Sequence, residues 1–276
     1  MIDVQGHRGC RGILPENTIP AFKKAIELGV TTLELDLAVS KDHQLVVSHE
    51  PFMNHEISIG PNGEEITEEN EKSFNLYQMN YKEIKRFDVG MKKHLRFPNQ
   101  QKIKAHKPLL SEIFDLAEDE TDETILYNIE IKSHPTYDGI FTPKVEEFTK
   151  LLINLIRERN LEDRVTVQSF DIRALEITHQ MNPKLSTALL VEDNENIDLK
   201  LSALSFKPSI ISPYYGLLSE KKVELLQDER LQVIPWTAND TTTMKTLLKF
   251  KVDGIITDYP DRLINLLENE ITDNAF

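Results

Sequence analysis

The sequence predicts one (β/α)8 barrel, in the α/β class, that spans residues 1–276 and carries a small insertion at 51–107 after the second strand. Three observations predict it. Short apolar strands alternate with amphipathic helices along the chain, which is typical of a parallel sheet covered by helices. Eight strand and helix units result when the hairpin at 32–49 is counted as one extended strand. Ionisable residues cluster at the carboxyl ends of the strands, where such barrels carry their chemistry.

The first unit shows the local signals clearly. A strand at 2–6 is followed by chain breaks, and Asn17 and Thr18 then stand before a helix that has Pro20 in its first turn and ends near Gly29. Asn and Thr are favoured helix N-caps, and proline is tolerated in the first turn because that turn's N–H groups have no intrahelical partner.

The second strand, at 32–39, separates its residues by chemistry. Leu33, Leu35, Leu37 and Val39 alternate with Glu34 and Asp36, so the period of two places the acids on the face opposite the leucines. In a barrel the apolar face lies under helices and the acids point inward. We expect a hairpin with Lys41 and Asp42 at its tip, whose cross-strand pairing puts His49 opposite Glu34.

The insertion at 51–107 lacks periodicity, which is typical of a functional loop, and we interpret it as a lid-like segment beside the site. After the insertion, strands and helices again alternate regularly along the chain. The further strands are predicted at 124–131, 164–169, 186–191, 209–213, 231–236 and 254–257, with helices at 145–159, 172–181, 220–227, 241–249 and 261–267.

Composition excludes several classes of function. The formal net charge of −14 argues against nucleic acid as a partner, because binding to a phosphate backbone needs a basic surface. The single Cys10 leaves no disulfide framework and no thiolate metal site. No apolar run approaches the roughly 20 residues of a membrane span, so no stable membrane insertion is expected. A cytoplasmic protein is expected from the sequence as it stands, and a periplasmic or secreted one if a leader has been removed; the oligomeric state leaves no signature.

Three carboxylates near strand ends form a candidate metal site. Glu34, Asp36 and Glu130 offer oxygen ligands, which Mg²⁺ and Ca²⁺ prefer. The alternative is a network of ion pairs with Arg8 and Lys132. Three acids against two cations leave a negative charge, which favours a divalent ion.

The remaining candidates suit a phosphate ester. His7 and His49 have pKa values naturally near neutrality, so together they can serve as general acid and general base, although each alone would more often be structural. Arg8 and Lys132 can hold phosphate oxygens, or can simply neutralise neighbouring acids. Trp236 can form a wall for the substrate or pack in the barrel.

These residues, taken in order along the chain, resemble the glycerophosphodiester phosphodiesterase family. The resemblance is carried by these segments: His7-Arg8-Gly9, Glu16-Asn17-Thr18, Glu34-Leu35-Asp36, the Lys41-Asp42 turn before Leu45-Val46-Val47-Ser48-His49, Glu130-Ile131-Lys132, Trp236-Thr237 with Asn239, and Asp253 to Pro260.

The resemblance implies a TIM-type barrel that uses a divalent metal ion on Glu34, Asp36 and Glu130 to hydrolyse glycerophosphodiesters to glycerol 3-phosphate and an alcohol. It implies the same roles for the histidines and the two cations. The chain departs from the family where His49 is followed by Glu50 rather than Asp and then an Arg-Thr-Thr stretch, which affects substrate choice more than reaction type. A lipid-directed phosphodiesterase of phospholipase type and a non-catalytic barrel that binds phosphate esters are the alternatives.

Overall fold

Eight parallel strands form a nearly closed barrel in the computed structural model, which describes residues 2–273. The strands follow the order β8-β7-β6-β5-β4-β2-β1-β9 around the sheet, and β3 pairs antiparallel with β2 as the arm of a hairpin. Their bounds are β1 Asp3–Gly6, β2 Thr32–Val39, β3 Leu45–Val47, β4 Leu126–Ile131, β5 Val165–Ser169, β6 Ser186–Val191, β7 Ile210–Pro213, β8 Gln232–Val233 and β9 Gly254–Thr257. The predicted barrel is confirmed.

Backbone hydrogen bonds join the two edge strands. The N–H of Asp253 donates to the carbonyl of Val233, and the N–H of Ile256 donates to that of Pro235. Beyond Val233 the N–H groups of Ile234 and Trp236 still donate to the carbonyls of Ile211 and Pro213, but Pro213 at the end of β7 has no N–H to donate back, so β8 ends at Val233 rather than continuing to 236 as predicted.

Nine α-helices in the described chain include eight that follow barrel strands or the hairpin and one short helix in the insertion. They are α1 Ile19–Leu28, α2 Tyr81–Ile84, α3 Leu110–Thr121, α4 Val145–Glu158, α5 Ile172–Met181, α6 Ile197–Ser202, α7 Glu220–Asp228, α8 Thr241–Lys249 and α9 Pro260–Asp273. Thr18 caps α1 with its side chain, and Gly29 ends it with φ 89°, a conformation that glycine adopts without a steric penalty.

The main core lies between the sheet and the helices. Leu33, Leu35 and Leu37 of β2 are fully buried there with Phe22 of α1 and Phe148 of α4. The acids between these leucines lie on the opposite face, inside the barrel, as the alternation predicts.

The hairpin register differs from the prediction by one residue. Leu37 pairs with Val47 and Val39 with Leu45, so the extrapolated partner of His49 is Leu35, not Glu34. The loop contains a third residue, His43, in the left-handed region at φ 56°, and this extra residue shifts the pairing. His49 therefore reaches the site from the chain just beyond the end of β3.

The insertion has its own small apolar cluster. The residues that form this cluster are Ala38, Val46, Met53, Ile66, Leu76, Ile84 and Phe87, of which the first two belong to the hairpin. The two ends of the insertion meet, because the Lys107 Nζ donates to the Ser48 Oγ at 2.8 Å and the N–H of Val47 donates to the carbonyl of Pro108. The insertion thus lies beside the mouth of the barrel.

Candidate active site

A cavity of about 330 Å³ opens at the carboxyl ends of the barrel strands. Seven of the eight site residues predicted from the sequence line it, and the eighth, Asp36, lies beneath with 1% of its surface exposed. The lining consists of His7, Arg8, Arg11, Glu34, His49, Arg96, Glu130, Lys132, Gln168, Phe170, Leu190, Glu192, Trp236, Thr237 and Ile256.

Three buried carboxylates form a cluster at the base of this cavity. Glu34 and Asp36 project from the same face of β2, and Glu130 is the register partner of Asp36 on β4. One oxygen from each lies within 4.8 Å of the others. The strand pairing itself therefore brings these side chains together.

Burial and neighbouring charges shift the pKa values of the three clustered carboxyl groups. Burial raises the pKa of Glu34 well above its usual value, and the charge of Asp36 reinforces the shift. Burial raises the pKa of Glu130 to about 7, although Lys132 opposes it. For Asp36, burial acts in the same direction, but the combined attraction to Arg8, Lys132 and the nearby histidines outweighs it, so the pKa of Asp36 lies well below its usual value.

The cluster fits a hard divalent cation. The Oδ1 atom of Asp36 is buried without a hydrogen-bond donor, which is unusual for a buried acceptor. The donor set consists only of carboxylate oxygens, the ligands that Mg²⁺ and Ca²⁺ prefer.

The total formal charge around the cavity also favours a bound divalent cation. Seven carboxylates and five cations lie in and around the cavity, so their formal charge is −2 when every acid is ionised, as a bound cation would favour, and the histidines are neutral. The acids are Glu16, Glu34, Asp36, Glu50, Glu130, Glu192 and Asp258, and the cations are Arg8, Arg11, Arg96, Lys107 and Lys132. One divalent cation would balance this charge.

His7 is held by a carboxylate at the end of the last strand. Its Nδ1 donates to the Oδ1 of Asp258 at 2.6 Å, and the other oxygen of Asp258 accepts from the Nδ2 of Asn239 at 2.7 Å. The Nε2 of His7 lies 4.0 Å from the Oε2 of Glu34, beside the acidic cluster. Burial lowers the pKa of His7 despite Asp258, so the imidazole is neutral at pH 7 with its Nε2 free to accept a proton.

His49 is held in a parallel way. Its Nδ1 donates to the Oε1 of Glu50 at 2.6 Å. Burial and the charges of Arg8 and Lys132 lower the pKa of His49. Both histidines therefore have a carboxylate on Nδ1 and lie on the same cavity.

Arg8 lies at the centre of the ion pairs. Its backbone N–H donates to the Oε2 of Glu34, its Nη1 donates to Glu16 at 2.8 Å, and its Nε lies 3.1 Å from Asp36. Arg11 also pairs with Glu16. Arg8 thus neutralises acids, as the alternative interpretation predicted, and it also lines the cavity.

Lys132 and the aromatic wall complete the lining. The Nζ of Lys132 lies 2.9 Å from Glu130 and 3.7 Å from Asp36. Trp236 packs edge-on against Phe170 at 5.5 Å, and its indole N–H donates to the carbonyl of Ser212. Trp236 therefore both packs in the barrel and lines the cavity.

A second pocket of about 280 Å³ adjoins the first. It shares His49, Glu130, Lys132 and Phe170 with the main cavity, and Phe52 and Tyr137 are among its other lining residues. The site therefore has two arms that meet at His49 and Lys132.

Several residues that line the cavity or hold its histidines were missed from the sequence. Gln168, Phe170 and Asp258 stand at or just beyond the ends of β5 and β9, so the rule that found His7 could have found them. Gln168 donates to the Oε1 of Glu34 at 2.6 Å. Arg96 comes from the aperiodic insertion, where no such signal exists.

The fold and the site together define a class of protein: a (β/α)8-barrel hydrolase whose cavity suits a phosphate ester. The sequence profile of the glycerophosphoryl diester phosphodiesterase family matches residues 7–262, and the chain belongs to that family. It is therefore a phosphoric diester hydrolase, which sets aside the non-catalytic alternative.

The chain is similar to solved and named relatives over nearly its whole length. It is 35% identical to the glycerophosphodiester phosphodiesterase of Caldanaerobacter subterraneus subsp. tengcongensis, over 96% of this chain and 97% of that protein. A crystal structure from Silicibacter pomeroyi, provisionally named a glycerophosphoryl diester phosphodiesterase, superposes with a TM-score of 0.87 at 27% identity, covering 98% of this chain and 94% of that one. An Oleispira antarctica phosphodiesterase, solved with the product sn-glycerol-3-phosphate, has a TM-score of 0.76 at 19% identity over 96% of each chain, so it supports the fold alone.

Proposed function

We propose that this protein hydrolyses glycerophosphodiesters to glycerol 3-phosphate and an alcohol, with a divalent cation held by Glu34, Asp36 and Glu130 and with His7 and His49 as acid and base. The observation that carries the proposal is the meeting of three buried carboxylates and two carboxylate-held imidazoles on one cavity. A purely structural ion-pair network would not require both histidines to turn toward the same space.

The cation supported by this all-oxygen donor set is Mg²⁺ or Ca²⁺. When bound, it supplies Lewis-acid stabilisation of the charge on the phosphate.

The histidines supply the proton transfers. Asp258 and Glu50 fix the tautomer in which Nδ1 carries the proton, so each Nε2 is an acceptor in the resting state. One histidine takes the proton of the attacking oxygen. The other, once protonated, donates to the leaving alcohol, and its carboxylate partner stabilises the imidazolium.

Cations and aromatic rings bind the rest of the substrate. Arg8 and Lys132 line the cavity with charges that can neutralise non-bridging phosphate oxygens. Trp236 and Phe170 form an apolar wall beside them. The second pocket, which begins at His49 and continues to Tyr137, has room for the leaving alcohol.

The test is release of glycerol 3-phosphate from glycerophosphoethanolamine by metal-stripped protein, with Mg²⁺, Ca²⁺ or neither restored. We expect turnover only with a cation, and its loss in Glu34→Gln. The matched control is Glu146→Gln, which changes an exposed acid on α4. Full turnover without a cation, or an unchanged rate in Glu34→Gln, would contradict the proposal.

A further inference from the structure

We propose that residues 91–107, here called the basic segment, form a docking surface for an anionic lipid bilayer that turns the mouth of the cavity toward the membrane. The inference goes beyond the hydrolysis proposed above and stands on different residues. The first observation behind it is that positive and negative residues are unevenly distributed along the chain.

The basic segment carries a charge opposite to that of the rest of the protein. It holds six Lys or Arg residues, and no Asp or Glu occurs between Asp88 and Glu112. Since the whole chain has a net charge of −14, the remainder carries −20. The cations are Lys92, Lys93, Arg96, Lys102, Lys104 and Lys107.

Four of these cations are available to a partner. Lys107 is buried, and Lys92 donates to the carbonyls of His55 and Ile66. The other four are exposed, and within residues 2–273 no carboxylate lies within 4.0 Å of them. They are Lys93, Arg96, Lys102 and Lys104. Unpaired surface charge of one sign is the feature that an anionic surface recognises.

Exposed apolar side chains accompany these cations. Leu95 is 79% exposed, Met91 45% and Ile103 39%, which makes three of the seven large exposed apolar residues in the described chain. The two ends of the segment run antiparallel, because Ile103 N–H donates to the carbonyl of Gly90, and this brings Met91 near Ile103. Exposed cations and exposed aliphatic side chains therefore occur together in one short segment of the chain.

The basic segment is fixed at the mouth of the cavity. Arg96 lines the cavity, and Phe97 packs beneath Arg11, whose guanidinium lies 4.9 Å from the ring centroid. The side chain of Gln100 donates to the carbonyls of Arg11 and Leu14. A bilayer bound to this segment would therefore face the opening of the site.

A bilayer fits this surface better than a nucleic acid does. Peripheral membrane binding combines Lys and Arg with aliphatic side chains that enter the interface. Single-stranded nucleic acid instead needs aromatic side chains on which bases stack, and Phe97, the aromatic residue of the segment, is 5% exposed. No helix in the described part of the chain is long and apolar enough to cross a membrane, so the proposed contact is peripheral.

Binding to vesicles tests the proposal. The probe is a vesicle of equal parts phosphatidylglycerol and phosphatidylcholine, with pure phosphatidylcholine as reference, in low-salt buffer. Each exposed cation near an anionic surface contributes about five-fold to partitioning. We expect the triple variant K93Q/K102Q/K104Q to bind about 100-fold more weakly. Salt should weaken binding by the wild type as well.

Control variants elsewhere on the protein test whether vesicle binding depends on the basic segment or only on the total charge of the protein. K221Q/K245Q/K249Q removes three exposed lysines from α7 and α8 and should bind like the wild type. Leu95→Gln should also weaken binding, whereas Leu199→Gln, at a position 72% exposed on α6, should not.

Three outcomes would overturn the docking proposal: no preference for anionic vesicles, equal losses in the two triple variants, or binding to single-stranded DNA without binding to vesicles. The test does not depend on hydrolysis. Vesicle binding without turnover of glycerophosphoethanolamine would contradict only the proposed function. Turnover without vesicle binding would contradict only the docking proposal.

Discussion

The substitution Asp258→Asn should invert the tautomer of His7. Asn239 is fixed, because its Oδ1 accepts from the backbone N–H of residue 258 while its Nδ2 donates to the Asp258 Oδ2. An asparagine at 258 must therefore present its carbonyl oxygen to Asn239 and its NH₂ group to His7. The Nδ1 of His7 would then accept a hydrogen bond, and the proton would move to Nε2.

Two magnitudes follow from this geometry. With a proton on Nε2, His7 no longer offers a base toward the acidic cluster, and a wrong tautomer of this kind costs on the order of 10⁴-fold in kcat, or about 5 kcal/mol. The pKa of Asp258 is about 2, because His7 and Arg11 outweigh burial, which alone would raise it. The ordinary pKa is 3.8, so the ionised carboxylate stabilises the fold by about 2 kcal/mol at neutral pH.

The depressed pKa of Asp258 also determines how its contribution to stability changes with pH. Because the folded pKa is depressed, the stability due to Asp258 is present above pH 3.8 and is lost as the pH falls toward 2. Denaturant unfolding at neutral and acid pH should therefore show a difference between wild type and Asp258→Asn that shrinks on acidification.

The assay is steady-state turnover of glycerophosphoethanolamine, with the nitrogen shifts of His7 measured by NMR to report its tautomer. Asp228→Asn, at an exposed position on α7, is the control. A folded Asp258→Asn variant with kcat within about ten-fold of wild type would refute the proposed role of His7.

Other predictions address the metal, the ligand and the core. Glu130 has a pKa of about 7, and the pKa of Glu34 is also raised, so protons compete with a cation at both ligands. The Mg²⁺ or Ca²⁺ affinity measured by calorimetry should therefore fall at least about ten-fold from pH 8 to pH 6, and a flat profile would contradict this. Trp236 is the single tryptophan and lines the cavity, so glycerol 3-phosphate should change the protein's fluorescence, and no change at saturation would exclude contact. Phe148→Ala should lower the free energy of unfolding by about 4 kcal/mol, against less than about 0.5 for exposed Leu199→Ala, and similar losses would contradict the core assignment.

Much of the barrel and the acidic cluster could be predicted because they follow from local patterns. The alternation of Leu33, Leu35 and Leu37 with Glu34 and Asp36 fixes both faces of β2 without knowledge of the rest of the chain. The carboxyl ends of the parallel strands lie at one end of the barrel. Glu130 on β4 therefore lies beside Glu34 and Asp36 on β2.

The rest depended on contacts distant in sequence or on loop geometry. His43 adds a residue to the hairpin loop through a left-handed backbone conformation, and the alternation alone does not reveal it. Lys107 reaches Ser48 from the far end of an aperiodic segment. Asp258 was missed: it lies 251 residues from His7, and its position just after β9 could have indicated the barrel mouth but not the partner that it holds.

The bond between Lys107 and Ser48 has a consequence for how such enzymes diversify. Both ends of the insertion are clamped beside His49, so the length of chain between them is free to change without displacing the imidazole. The entropic cost of a longer closed loop grows only slowly with its length. Residues 51–106 could therefore change in length while His49 keeps its place, and such changes would act on substrate binding through Arg96 and Phe52, which line the two pockets.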